Sequence, residues 1–532
     1  MAHWATSPVD RNQIVLFAPT LDQSIAQDCP VRLFDETLKA LDFAPWEAAY
    51  VRLVGQPPIH PRVLAACILY GLSLGIRSSR RLEDAAANRL DFIWLLEGRV
   101  PDHATICKFR TQFASQIKDL FRQVGRVAIN LGLISLNLVM LDGTDLKANN
   151  SRYATNRRAS LQQKIDALDL QVEQLLAEAD AADSAETQLL GEASPTKLPK
   201  PLRNLKARQD RLRQAMENLQ KLEKQRGVSS EASAATTAGI PDDTAGRGAK
   251  KKHAKVGPAI PTTDPESRVL PAKQGGYAPG YTGVLATDGD HGFILDTQVL
   301  AGNDEASTVL AAVDNIEQNF GTKPGEVIAD TVFNTGLNLA GLQQRQVEAL
   351  MPPRQEMDAS AAERPDPSRP VAEADRARLP VNPQNKQLDR AGFSFDAAGD
   401  QYYCPMGRTM PRTEDKPYNR QGSKGAYQVY ESTDCGGCPL QDRCLTGKSP
   451  RRRVCRDEHE TLREAMAKRM KTDEGREKYK RRAPIAETPF AALKTTLNLR
   501  QFLLRGIEKV RIEFDWAATA MNLMKLIALT AK

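Results

Sequence analysis

The chain has 532 residues, 41% of them apolar and 26% charged, with eight cysteines and 73 Lys+Arg against 66 Asp+Glu for a net charge of +7. At roughly 150 residues per domain this length accommodates three or four domains with sizeable cores, which excludes a peptide or a fibre. No stretch approaches the roughly 18 uninterrupted apolar residues of a membrane helix, and the N-terminus lacks the basic start, apolar core and small-residue cleavage site of a secretory signal, so a cytoplasmic chain without membrane association is expected.

Helix-type periodicity is dense from residue 1 to 137 and linker sequence is scarce, which predicts an all-α N-terminal domain. Pro61-Arg-Val-Leu-Ala-Ala-Cys-Ile-Leu-Tyr-Gly opens with Pro at a first helical turn and sets Val63, Cys67 and Tyr70 on one face. After Gly75-Ile-Arg-Ser-Ser-Arg-Arg-Leu-Glu and the apolar Leu90-Asp-Phe-Ile-Trp-Leu-Leu comes Pro101-Asp-His-Ala-Thr-Ile-Cys-Lys-Phe-Arg. That last segment carries a capping residue and a Thr/Lys/Arg face, readable either as a short helix presented to phosphate or as an ordinary solvated surface. The isolated Cys29, Cys67 and Cys107 read as small buried hydrophobes.

Residues 138–155 change pattern to Leu138-Val-Met-Leu-Asp-Gly-Thr-Asp-Leu-Lys-Ala-Asn, a buried strand with an acid at its end. In residues 156–261, Leu161, Ile165, Leu168, Val172 and Leu175 alternate four and three apart, and Leu202, Leu205, Leu212, Met216 and Leu219 keep the heptad frame after a break near Ser194 to Pro201. This predicts a coiled-coil hairpin insertion. A flexible tether with the basic knot Arg247-Gly-Ala-Lys-Lys-Lys-His-Ala-Lys is expected to follow, from Gly227 to Pro261.

Residues 262–354 return to strands. The predicted order is a hairpin (Tyr281 to Asp288, a Gly289-Asp-His-Gly turn, Phe293 to Leu300), a helix from Ala306 to Asn319, the strand Glu326-Val-Ile-Ala-Asp, a helix near Asn334 and a strand near Val347. This describes a mixed α/β core broken by insertions. Residues 355–457 are expected to be a loose connector followed by a Cys-rich module, and residues 458–532 a helical C-terminus.

Asp142 and Asp330 each close a short apolar strand, where groups at C-terminal strand ends face the ligand crevice of an open sheet. If the strands are neighbours, the two carboxylates can share a divalent cation, and hard oxygen ligands select Mg²⁺ or Mn²⁺. A third acid is normally needed, and Glu487 is the candidate, with Arg482 and Lys494 as phosphate clamps. Taken singly, each Asp also reads as a turn former, and Asp145 is a local rival to Asp142.

Cys435-Gly-Gly-Cys438-Pro-Leu-Gln-Asp-Arg-Cys444 has knuckle spacing and Cys404-Pro-Met-Gly offers a fourth thiolate, enough for a closed structural Zn²⁺ site. Cys455 and His459 are the other fourth-ligand candidates, and free thiols the plain alternative. From Arg451 to Arg482 thirteen Lys/Arg face seven Asp/Glu, a local net of +6 against +7 for the chain. Such a run reads as a DNA-backbone approach or as a solvated amphipathic helix.

At these residues the chain resembles the DDE transposases of bacterial insertion sequences, specifically the family catalogued as number eleven eighty-two, within the group whose catalytic core is RNase H-like. Leu141-Asp-Gly-Thr resembles the first acidic strand, Thr262-Thr-Asp-Pro-Glu-Ser-Arg and Gly280-Tyr the stretch before the hairpin, and Ile328-Ala-Asp330 the second acid. Tyr479, Arg482, Glu487 and Lys494 resemble the terminal signature. The resemblance implies an RNase H-like catalytic core interrupted by the coiled-coil and zinc-binding insertions, with Asp142, Asp330 and Glu487 as catalytic ligands of two Mg²⁺ or Mn²⁺ ions. It also implies double-stranded DNA as partner, both transposon terminal inverted repeats and target. The DNA contacts it implies are Arg77, Arg80, Arg81, Lys108 and Arg110 in the N-terminal domain, and Arg481, Arg482 and Lys494 beside the third acid. A homodimer would hold both ends. A non-catalytic DNA-binding repressor or architectural relative, and a nuclease that cuts without joining, are the alternatives.

Overall fold

A computed structural model describes residues 20–50, 57–151, 153–190, 200–226, 258–271, 275–353, 364, 366–382, 386–420, 423–445 and 450–531. The expected tether with its basic knot and the break near Ser194 fall almost entirely outside the described residues. The chain forms two compact units that interleave in sequence: residues 1–135, 143–304 and 486–532 make one, residues 136–142 and 305–485 the other. The domains expected in chain order are therefore not separate bodies.

In the first unit, helices Pro30–Lys39, Pro61–Ser73, Ser79–Asn88, Leu90–Leu95, His103–Gln112 and Ala114–Asn130 pack with the C-terminal helix Ile507–Thr530. From Ile512 to Ala520 that last helix is buried on every face, polar residues included, the pattern of a helix enclosed by others. Trp516 and Trp46, both almost fully buried, meet edge to face at 5.9 Å, and Trp46 stacks on Phe109 at 5.4 Å. The Trp516 indole donates to the backbone carbonyl of Arg110 at 3.1 Å, so the buried aromatic keeps its polar atom satisfied.

The same unit holds strands Arg268–Pro271, Tyr277–Asp288 and Ile294–Leu300, paired antiparallel around the central one. Helices Arg158–Leu190 and Lys200–Arg226 lie side by side in opposite directions, joined by Leu161, Ile165, Leu168, Leu212, Met216 and Leu219. Arg158–Glu223 and Arg213–Asp169 pairs fix their register.

The Thr262–Arg268 stretch anchors the last helix. The buried Asp264 accepts hydrogen bonds from the Tyr281 hydroxyl at 2.9 Å and from Gly506 N at 3.1 Å, while Glu266 accepts from Ile507 N at 2.5 Å.

In the second unit, Leu138–Leu141 of the strand Leu138–Lys147 pair in parallel with Glu326–Ala329, which pairs in parallel with Glu348–Leu350. Helices Val309–Phe320 and Gly336–Gln344 supply the crossovers that parallel pairing requires. Gly321 ends the first of them with φ +78°, a left-handed cap suited to glycine.

The segment expected to be the Cys-rich module forms a five-stranded antiparallel sheet, in order Arg453–Asp457, Ser423–Glu431, Thr409–Arg420, Gln401–Tyr403, Ser394–Asp396. Tyr402, Met410, Tyr430 and Val454 form its buried face. Helices Glu460–Lys471 and Asp473–Lys480 follow. Arg469 clamps them to the strands, donating to Glu326 at 2.7 Å, Glu348 at 2.6 Å and the Ala349 carbonyl at 3.0 Å.

Candidate active site

The parallel pairing ends at Leu141↔Ala329, so Asp142 and Asp330 are the residues that directly follow the last paired positions. Asp142 continues its strand, which runs on to Lys147, while Asp330 stands just past the end of Glu326–Ala329. Both are partly exposed. Asp330 is extended at φ −78°, ψ −179°, and its Oδ1 accepts from Val332 N at 2.8 Å, starting the short turn Thr331–Phe333. The Thr331-Val-Phe-Asn stretch thus has a structural role: Phe333 is fully buried and Asn334 donates to the Met351 and Pro352 carbonyls.

Arg482 lies over this pair. Its Nη2 donates to Asp142 Oδ1 at 2.7 Å, with the two side chains only 12% and 16% exposed. It also bonds the Tyr479 hydroxyl, and its Nε is buried without a hydrogen-bond partner among the described residues. Burial raises the Tyr479 phenol above its ordinary pKa. The Arg482 charge opposes that rise, and the Asp330 and Asp142 carboxylates reinforce it. Tyr479 therefore feels both acids, and Asp142, Asp330, Tyr479 and Arg482 form one electrostatic cluster within the second unit.

Glu487 is exposed on the helix Arg482–Thr495. Seven residues later on the same face comes Lys494, whose Nζ donates to Thr144 Oγ1 at 2.5 Å within the first unit. Thr144 shares a strand face with Asp142, two residues before it. Asp145, on the opposite face, accepts instead from Thr282 at 2.9 Å. Among the described residues, no three or more His, Cys, Asp or Glu form a group that could hold a metal ion.

The basic residues divide. Arg80, Arg81, Lys108 and Arg481 are exposed. Arg77 is buried at 9% exposure, donating to the Asn498 and Gln501 carbonyls at 2.7 Å each and to Glu513 at 2.6 Å. Arg110 is buried at 6% exposure, its pKa lowered by desolvation against the pull of Glu513. The expectation that Arg77 and Arg110 contact DNA is therefore corrected, because both guanidinium groups are enclosed in the protein core. Nothing in the sequence singles out Glu513, which stands among the charged residues Glu508, Lys509, Arg511 and Asp515 at the start of its helix.

Cys404, Cys435, Cys438 and Cys444 line one cavity of about 20 Å³. Burial raises the Cys404 thiol and pushes Cys444 up to about 11. Cys455 is exposed on the strand Arg453–Asp457.

Two family models match the chain: one described as "Transposase domain (DUF772)" over residues 19–112, the other as "Transposase DDE domain" over residues 403–527. No curated protein matches it. Among the described residues no helix is long and apolar enough to cross a membrane.

Proposed function

We propose that this chain, a DDE transposase of the bacterial insertion-sequence kind, cuts DNA at the ends of a mobile element and joins the freed 3′ hydroxyls to target DNA. The observation that carries this reading is that Asp142 and Asp330 each directly follow the last paired residues, Leu141 and Ala329, of neighbouring parallel strands, with Arg482 bonded to Asp142. Glu487 is the third acid, supported by its place one heptad before Lys494 in the matched DDE segment. The proposed core is RNase H-like.

DDE transposases work with divalent metal ions. The carboxylate oxygens of Asp142, Asp330 and Glu487 suit two Mg²⁺ or Mn²⁺ ions, hard cations that prefer oxygen donors. When bound, such ions activate a water and stabilise charge on the leaving oxygen of a phosphodiester. The chain's own groups do the rest. The buried Nε of Arg482 is an unspent donor beside the acids, suited to a phosphate oxygen. Tyr479 holds Arg482 in place. Lys494 and Arg481 approach the same DNA, and Arg80, Arg81 and Lys108 form an exposed basic face for the inverted repeat.

A structural Zn²⁺ on Cys404, Cys435, Cys438 and Cys444 is proposed as a brace for the five-stranded sheet. The knuckle spacing and the shared small cavity are what support it, although among the described residues these thiols do not gather into a metal-holding group. The paired long helices are proposed to act as a coiled coil that assists a homodimer, and the protein to work in the bacterial cytoplasm.

The second reading is a binding-only repressor or architectural protein, favoured by one observation: no three acids form a metal-holding group among the described residues. An excision assay from a donor plasmid separates the two. Catalysis predicts excision by the native chain and none by Asp142→Asn, with DNA binding retained in both. The binding-only reading predicts binding and no excision by either.

A further inference from the structure

A cavity of about 450 Å³ lies at the base of the paired helices in the first unit. Lys164 reaches it from helix Arg158–Leu190, and Arg208 and Arg211 from helix Lys200–Arg226. Among the described residues no Asp or Glu lines it. Arg208 and Arg211 are three residues apart and so share a helix face. Both are exposed, and neither has an ion-pair or hydrogen-bond partner among the described residues. This contrasts with the same helices elsewhere, where Arg158 and Arg213 are matched by Glu223 and Asp169.

The floor of the cavity is fixed. Thr262 donates to the Ala154 carbonyl at 3.0 Å, Thr263 N donates to Asn150 Oδ1 at 2.9 Å, and Lys164 Nζ is held by Asn156 Oδ1 at 2.6 Å. Beside the cations stands Tyr153, 90% exposed. Three gathered positive charges without a carboxylate repel one another, and such a concave site focuses potential onto an anion. The volume exceeds that of a single phosphate ion and leaves room for its flanking sugars.

We infer that this cavity binds the backbone of duplex DNA, with Lys164, Arg208 and Arg211 on phosphate and Tyr153 against the adjoining sugar. The inference rests on the DNA-acting reading above and adds a contact at residues distinct from the acids and from the basic run 451–482.

The test titrates a labelled random-sequence duplex with the full chain across a series of NaCl concentrations. Each lost phosphate contact flattens the slope of log K against log salt by about 0.9. Arg208→Gln/Arg211→Gln should therefore flatten it by roughly 1 to 2 and weaken binding at least tenfold at low salt. Lys221→Gln/Lys224→Gln, which removes equal charge from the same helix outside the cavity, should leave the slope close to native. Equal flattening in both double variants, or a native slope in the cavity variant, overturns the inference while leaving DNA binding intact. Competition by inorganic phosphate at constant ionic strength as effective as that by unlabelled duplex would mean an isolated-anion site and would also overturn it. Failure of the native chain to bind duplex at all overturns the DNA reading itself, and this inference with it.

Discussion

Arg482 donates to the carboxylate of Asp142 at 2.7 Å, and both side chains are more than four-fifths covered. A largely buried pair of this kind is costly to break from one side, because the remaining charge loses its partner. Arg482 thus does two things in the account: it neutralises Asp142 when nothing else is there, and it competes with any cation that claims the same oxygen.

Arg482→Gln separates those roles. The variant should cleave about 10²-fold more slowly, the usual effect of removing one preorganised donor from developing charge. Because Asp142 no longer has to give up a guanidinium, half-maximal rate should come at lower Mg²⁺ than in the native chain. A rate loss with an unchanged or higher Mg²⁺ requirement would show that Arg482 and the metal do not share Asp142. Cleavage rate against Mg²⁺ concentration is the measurement.

Asp515 makes a pH prediction. It is buried in the C-terminal helix, accepts from Thr297 at 2.5 Å, and burial pushes its pKa up to about 6 from an ordinary 3.8. Its other oxygen, Oδ2, is buried without a hydrogen-bond partner among the described residues. Since the folded pKa lies above the unfolded one, the folded chain binds the proton more tightly between pH 3.8 and 6, and Asp515 becomes progressively destabilising as pH rises through that window. A two-unit shift corresponds to about 3 kcal/mol at most. Asp515→Asn should raise the thermal midpoint at pH 8 by a few degrees and leave it nearly unchanged at pH 4. An equal change at both pH values, read by scanning calorimetry, would contradict the assignment.

The cysteine cavity predicts about one zinc per chain by elemental analysis, lost in Cys438→Ser/Cys444→Ser together with stability of the sheet around Tyr402 and Tyr430. With burial holding the Cys444 thiol protonated up to about pH 11, metal binding must expel protons, so zinc retention should fall steeply as pH is lowered from 8 to 6. Native zinc content in the double serine variant would remove the zinc proposal.

The first acidic strand was legible in its apolar run Leu138–Leu141, but it does not end at Asp142 as expected: it continues to Lys147. The second was legible in Val327-Ile-Ala, and it does end before Asp330. The sheet of residues 394–457 was not legible. Thr409–Arg420 reads MPRTEDKPYNR after its first residue, with five charged residues and two prolines, and among its described side chains Met410 alone lies in the buried cluster. Period-two alternation is absent when a strand is wetted on both sides. Arg77 and Arg110 failed for a different reason. Arginine is seldom buried unless paired, and the partner Glu513 lies 436 residues from Arg77 in sequence. No local pattern carries that information.

The central claim is that Asp142, Asp330 and Glu487 cut DNA, and the most direct test is Mg²⁺-dependent strand cleavage of a labelled duplex bearing the ends of the element that encodes the chain. The native chain should nick at the element boundary only when Mg²⁺ or Mn²⁺ is present, and Asp330→Ala should lose at least 10³-fold of that rate while binding the duplex as tightly. Equal cleavage by native chain and Asp330→Ala would contradict the account.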